Sequence, residues 1–251
     1  MILLYKGCAV EYEFINGCHR QTILLLHGWG GNKDSFAKVK KVFSSNYNIL
    51  SISFPPQNIY QTNFANCLMP DFSSTPLNMY DYKNITVNIL QLLNLQSIII
   101  ICHSFGFRVA LMLTISNIII KKIVITSGAG IRFKPKFFKK LNSQFHTILL
   151  KSHPEYFNKF ASSEYIALSQ IDRQTFKNIV NKNLTNYVKN LSCPMFLFWG
   201  KRDTATPIKI FKIIKKIKPH IKYKIIKNGT HFCYLEQSNI FIDCCQNFIN
   251  N

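Results

Sequence analysis

Acidic residues are what this chain has least of. Asp and Glu number 11 against 31 Lys and Arg, so 251 residues carry a net charge of +20. Arginine is scarce as well: only Arg20, Arg108, Arg132, Arg173 and Arg202. A nucleic-acid reader draws on the forked guanidinium for bases and phosphates. A lysine excess with so few arginines therefore argues against a nucleic-acid partner. Lys, Ile and Asn share A/T-rich codons, and base bias explains much of the charge. Eight cysteines are present, but no Cys-x-x-Cys pair, so the usual zinc spacing is missing and no metal or other cofactor is expected. The apolar runs Ile98–Cys102 and Ile118–Ile120 are far short of membrane-spanning length. Met1–Tyr5 meets Lys6 too soon to build the apolar core of a secretion signal. The cysteines then read as reduced, small apolar residues, and the expected location is cytoplasmic.

What the chain does have is alternation of strand and helix. Hydrophobic residues make up 47%, enough for a large core. Met1–Tyr5 and Cys8–Phe14 read as an edge hairpin joined around Lys6-Gly7. Thr22–Leu26 reads as a buried strand running into His27-Gly28-Trp29-Gly30-Gly31. Asn32 and Asp34 are positioned to cap a helix near Ser35–Phe43. Tyr47–Ser53 is a further strand, stopped by Pro55-Pro56. A long polar loop to about Asn78 looks functional rather than connective. A helix is expected from Asp81, with Ile85, Ile89, Leu92 and Leu93 on one stripe. Lys121–Thr126, Met195–Trp199 and Tyr223–Ile226 complete the strands, with helices near Ile208–Lys216 and Glu236–Asn247. Between them, 131–189 holds no clear strand, but phenylalanines and leucines at helical spacing. Further helices are expected there near Glu155–Ala167 and Asp172–Lys182. The reading is a core of 1–130 and 190–251 with a helical cap, 131–189, inserted into it.

The chemistry gathers at strand ends. Ser97–Cys102 is a β-branched run that ends in His103-Ser104-Phe105-Gly106, after which helical periodicity takes over. A serine at such a corner is pushed out with its hydroxyl exposed, beside the N–H groups of a helix start. Alone, Ser-x-Gly is weak evidence, because any strand-to-helix turn can hold it. A serine nucleophile also needs a base, and the base needs an orienting acid. His231 sits in a glycine-led loop after the last strand. Asp203 alone among six aspartates follows a late core strand. His27 and His103 lie at strand ends too, and read as loop-shaping residues. The Trp29 and Phe105 backbone N–H groups are placed to hold a developing oxyanion. The order Ser104, Asp203, His231, each at a strand end where open α/β sheets bind ligands, points to a serine hydrolase.

On these residues the chain resembles the α/β-hydrolase superfamily over nearly its whole length. His27-Gly28-Trp29-Gly30 looks like the family's oxyanion loop and His103-Ser104-Phe105-Gly106 like its nucleophile elbow. Trp199-Gly200-Lys201-Arg202-Asp203-Thr204-Ala205-Thr206-Pro207 resembles its acid loop. Gly229-Thr230-His231-Phe232 with Leu235-Glu236-Gln237 resembles its histidine loop. The resemblance implies an eight-stranded, mostly parallel sheet flanked by helices, with an inserted helical cap. Three departures stand out. Cys102 replaces the glycine that usually begins the elbow. Phe107 replaces a frequent second glycine, which is expected to hold the helix a little off the sheet. Of the usual Asp-x-Pro-Gly-x-Gly-x-Ser stretch, only Pro55 remains.

The leading expectation is a serine esterase for a small or medium apolar ester, acting through an acyl-enzyme. Thioesterase, carbon–carbon hydrolase, aminopeptidase and acyltransferase chemistry stay open. The His-Gly-Trp-Gly loop is also found in carrier-protein methyl ester esterases of biotin synthesis, so an acidic carrier protein is a candidate partner. Two rivals stand beside it, the first from a different class. One is a non-catalytic ligand-binding protein on the same fold. The other is a lipase that meets anionic membrane surfaces through its lysines and cap phenylalanines.

Overall fold

The run Ile98–Ile101 is stiff at χ1 and apolar on both sides, and it forms the middle of a strand with helices on each face. The computed structural model describes residues 1–55, 75–132 and 168–251. Within them eight strands form one sheet in the order β1-β2-β4-β3-β5-β6-β7-β8. The strands are β1 Ile2–Tyr5, β2 Cys8–Ile15, β3 Thr22–Leu26, β4 Asn48–Ile52, β5 Ser97–His103, β6 Ile119–Thr126, β7 Met195–Gly200 and β8 Lys222–Ile226. β1 pairs antiparallel with β2, and β2 antiparallel with β4. From β4 to β8 every pairing is parallel. The hairpin closes at Lys6-Gly7, both with positive φ (49° and 78°), as a two-residue turn matched to strand twist requires. The α/β expectation, with its antiparallel start, holds.

Side chains alternate across the parallel strands and divide the core in two. Leu24, Leu26, Ile98, Ile100, Cys102, Ile123, Ile125, Leu197 and Trp199 line one face. Against it pack α2 Met79–Leu92, α3 Phe105–Leu113 and α5 Ile208–Ile217. Ile23, Leu25, Ile49, Ile99, Ile101, Val124, Phe196 and Phe198 line the other, with α1 Ala37–Phe43, α6 Cys233–Glu236 and α7 Ser238–Asn250. Each fully buried Ile, Leu or Phe stabilises by about 1.5–3 kcal/mol relative to exposure, so this double-sided burial sets the register of the sheet.

Element boundaries moved in three places. Helix α1 begins after Phe36, which makes no side-chain cap. The Asp34 carboxylate is drawn instead to Lys40 at 2.7 Å and Lys33 at 3.3 Å. Helix α2 starts two residues earlier than Asp81, because Asn78 is its N-cap and exchanges hydrogen bonds with Asp81 in a capping box. The last helix is two pieces, broken at Gln237 (φ −122°, ψ 49°). In the expected cap, α4 Gln170–Asn181 answers to Asp172–Lys182, and a 3₁₀ turn covers Thr185–Asn190. The expected helix at Glu155–Ala167 and the polar loop before Thr75 lie outside the described residues. No helix among the described residues is long and apolar enough to cross a membrane.

Candidate active site

Ser104 stands between β5 and α3 with φ 46° and ψ −109°. A non-glycine residue held there is strained by roughly 1–3 kcal/mol, so the surroundings must fix it. They do so from three sides: Ser104 N–H donates to Thr126 O at 3.1 Å, while Ser104 O accepts from Phe107 N–H (3.1 Å) and Ala129 N–H (3.0 Å). The end of β6 thus holds the elbow. The helix start is also pressed onto β3. A Cβ at Gly106 would lie 2.1 Å from Leu26 O, so Phe107 does not lift the helix away at this point. Phe107 is fully buried, in space left by Gly128, whose Cβ would meet the Phe107 ring at 2.6 Å. Cys102 is also fully buried, with its thiol 3.5 Å from Val124 O. The close approach therefore rests on Gly106 and leaves room for a thiol at 102.

The expected acid, Asp203, and the expected base, His231, meet beyond the ends of β7 and β8. His231 Nδ1 lies 3.1 Å from Asp203 Oδ1 and 3.0 Å from Oδ2. Thr206 completes the shell: its N–H donates to Oδ1 at 2.8 Å and its hydroxyl lies 2.7 Å from Oδ2. Burial pushes the Asp203 carboxyl up, but the hydrogen bonds from His231 and Thr206 outweigh it and hold the group below its usual range. An ionised Asp203 fixes the His231 proton on Nδ1 and leaves Nε2 free to accept. The two loops are laced together. Lys201 N–H reaches Ile226 O and Arg202 N–H reaches Gly229 O, both at 2.9 Å. The approach is so close that a Cβ at Gly200 would lie 2.2 Å from Thr230 O. Glu236 then anchors the histidine loop by accepting from Thr230 N–H (3.0 Å) and from the Thr230 hydroxyl.

Ser104 and His231 are linked through His103. Its ring lies 4.7 Å from that of His231, and its Nδ1 donates to Thr126 O at 3.2 Å. Ser104 Oγ itself makes no hydrogen bond to His231 in the structure. Catalytic hydrogen bonds often tighten only when substrate is bound. On the opposite side, a Cβ at Gly28 would lie 2.7 Å from the His103 ring and 3.5 Å from Ser104 Cβ. The glycine loop therefore borders the serine. Neither the Trp29 nor the Phe105 N–H has an acceptor among the described residues. His27 braces this loop: its Nδ1 donates to Gly28 O at 2.6 Å and its Nε2 accepts from Phe54 N–H at 2.9 Å. Trp29 packs edge-on to Phe105 at 5.6 Å and against Phe176 of α4 at 5.4 Å. Arg108, on the elbow helix, caps the end of α4 by donating to Ile179 O (2.9 Å) and Lys182 O (3.1 Å).

Sequence reasoning missed Thr206 as part of the acid's environment. The signal was the spacing Asp203-x-x-Thr206, in which a side chain can accept from a backbone N–H three residues on. The same buried histidines predict acid sensitivity. Burial lowers His27 to about 4 and His103 to about 3, against roughly 6.5 when unfolded. Between these values the unfolded chain binds more protons, so stability rises with pH there. The unfolding free energy is expected to hold above pH ~6.5 and to fall below it by about 1.4 kcal/mol per pH unit for each histidine. Urea titrations between pH 8 and 4 check this. A flat profile would show that these rings are solvated.

The comparisons agree with this architecture. A family model for the alpha/beta hydrolase fold matches residues 21–170. The chain is similar to the "Uncharacterized hydrolase YugF" of Bacillus subtilis (strain 168), 21% identical over a 283-residue alignment covering 97% of this chain and 95% of that protein. A shorter stretch is 31% identical over 62 residues to a "Pimeloyl-[acyl-carrier protein] methyl ester esterase" of Legionella pneumophila (strain Corby), covering 25% of this chain and 26% of that protein. Among solved structures, an esterase from Exiguobacterium antarcticum superposes with a TM-score of 0.70 at 14% identity, covering 97% of this chain and 96% of that one.

Proposed function

The chain belongs to the alpha/beta hydrolase family, and from that premise we propose that it is a serine esterase with Ser104, His231 and Asp203 as its triad. The observation that carries this reading is the Asp203–His231 pair, held at 3.0 Å and backed by Thr206, beside a strained serine at a helix start. His231 Nε2 takes the Ser104 proton as Oγ attacks the ester carbonyl. The oxyanion that forms draws on the Trp29 and Phe105 N–H groups; losing one such donor typically costs about 3–4 kcal/mol. The imidazolium, steadied by Asp203, returns its proton to the leaving alcohol. Water then repeats the sequence on the acyl-enzyme and frees the carboxylate. Trp29, Phe105, Phe54 and Tyr82 form an aromatic cluster next to the elbow, with ring centroids 5.0–5.9 Å apart. Of these four only Trp29 is partly exposed, and its indole offers an apolar surface to an acyl or alcohol group.

A panel of p-nitrophenyl esters from acetate to palmitate tests the reading. The expected optimum is a short or medium chain, with Ser104→Ala inactive on every member. Equal turnover by wild type and Ser104→Ala would contradict it. A second reading, a methyl ester esterase acting on a carrier-bound acyl chain, is favoured by the local match to the Legionella enzyme and by the basic charge. Adding carrier-linked methyl esters to the panel separates the two.

A further inference from the structure

The lysines are not spread evenly. Residues 201–227 carry ten Lys and Arg against one acid, Asp203, and that acid is committed to His231. Elsewhere carboxylates and lysines meet. Glu11, Glu13 and Asp34 pair with Lys33 and Lys40, and Asp81 pairs with Lys6. Those pairs sit at the β1–β2 edge of the sheet and on the neighbouring α1 and α2. No cation of 201–227 forms an ion pair among the described residues. Among the described residues, the ion-paired lysines therefore gather toward the β1–β2 edge, and the opposite edge of the sheet carries none.

That second edge is β8, which pairs only with β7. Its outer residues Lys222, Tyr223 and Lys224 are all exposed. Tyr223 faces α5, with its ring 5.3 Å from Phe211 and Lys215 Nζ 4.0 Å above it. Strand alternation sends Lys222 and Lys224 to the other face, so cations flank the edge on both sides. Lys209, Lys212 and Lys216 are exposed on α5. At the other end of the stretch, Lys201 and Arg202 are exposed immediately before Asp203. The basic face thus runs from the free sheet edge to the acid loop of the site.

The chemistry selects the occupant. A second copy of this chain would oppose lysines to lysines across the edge, and like charges placed opposite destabilise a strand pair. A lipid surface calls for protruding apolar side chains. The large exposed hydrophobic within 201–227 is Tyr223, which Lys215 covers. An acidic protein surface meets both conditions, since its carboxylates pair the lysines and it needs no insertion. We propose that the β8–α5 face docks a small acidic protein that presents the ester to the site; the presenting role rests on the esterase reading.

The test uses an acidic acyl-carrier protein bearing a methyl-ester acyl chain, with p-nitrophenyl butyrate as the small substrate. One variant reverses Lys212, Lys216, Lys222 and Lys224 to Glu. A control reverses Lys38, Lys41, Lys121 and Lys177, exposed lysines away from this face. The first variant is expected to raise KM for the carrier-linked ester roughly tenfold or more, while the control shifts it by less than about threefold. Turnover of the butyrate ester should be unchanged in both. Calorimetry with the unloaded carrier reads docking directly, so the face is tested even if no ester is cleaved. Equal weakening by both variants would reduce the face to net charge and overturn the proposal. So would absence of carrier binding to the wild type, or binding to phosphatidylserine vesicles in its place that the first variant abolishes.

Discussion

Asp203→Asn is expected to lower kcat/KM by roughly 10³–10⁴ while leaving the fold intact, a barrier increase of about 4–5.5 kcal/mol. The cause lies in the hydrogen bonds around one buried carboxylate. Thr206 N–H donates to Oδ1 at 2.8 Å, and a backbone donor cannot turn away. The amide oxygen of asparagine must therefore take the Oδ1 place and put NH₂ where Oδ2 was. That NH₂ faces His231 Nδ1, which lies 3.0 Å from Oδ2. Two donors cannot meet, so the imidazole moves its proton to Nε2, the atom that must accept from Ser104. Thr206 can absorb the change, since its hydroxyl also lies 3.0 Å from Ser127 O and can donate there instead. Steady-state kinetics with thermal unfolding of the same variant checks both halves. Unchanged activity would mean that Asp203 does not orient the base.

Gly106→Ala is the second large effect, and it acts through stability. The new Cβ would lie 2.1 Å from Leu26 O and 2.7 Å from Leu26 C, and both are backbone atoms in the middle of the sheet. Overlap with backbone cannot be relieved by a rotamer, so a cost of about 3 kcal/mol or more is expected. For a chain of this size that corresponds to a Tm lower by roughly 6–12 °C. Because Leu26 leads directly into the Trp29 loop and Gly106 follows Phe105, the same shift should separate the two proposed oxyanion donors. Cys102→Ala is the matched control, expected within about 1 kcal/mol of wild type because it removes one sulfur and its weak contact with Val124 O without creating an overlap. A tolerated Gly106→Ala would contradict the packing at the elbow.

The strands were legible because β-branched runs such as Ile98–Ile101 end at glycines and at chemistry-bearing residues. Asp203 and His231 were singled out on similar grounds, since each lies in the loop that follows a late strand, β7 or β8. What stayed hidden depends on tertiary contacts. Glu236-Gln237-Ser238 contains no helix breaker, so the pattern runs on through it. The break at Gln237 accompanies Glu236 turning to Thr230 and Ser238 meeting Lys38 at 2.9 Å. The α1 start was misplaced because Asp34 has better partners in Lys40 and Lys33 than in a helix N–H. Arg108, which burial lowers to about 10, looks like one more surface cation in the sequence, yet it caps α4 from beneath. The polarity of the lysines was invisible for a similar reason: composition counts charges, and only strand order shows which of them lack partners.

The central claim is that Ser104 is an activated nucleophile. A fluorophosphonate probe, followed by peptide mass spectrometry, tests it most directly. A single adduct is expected on the peptide carrying Ser104, formed at least about a hundredfold more slowly in His231→Ala and absent in Ser104→Ala. A folded wild-type protein that takes no label, or takes it at another residue, would contradict the claim.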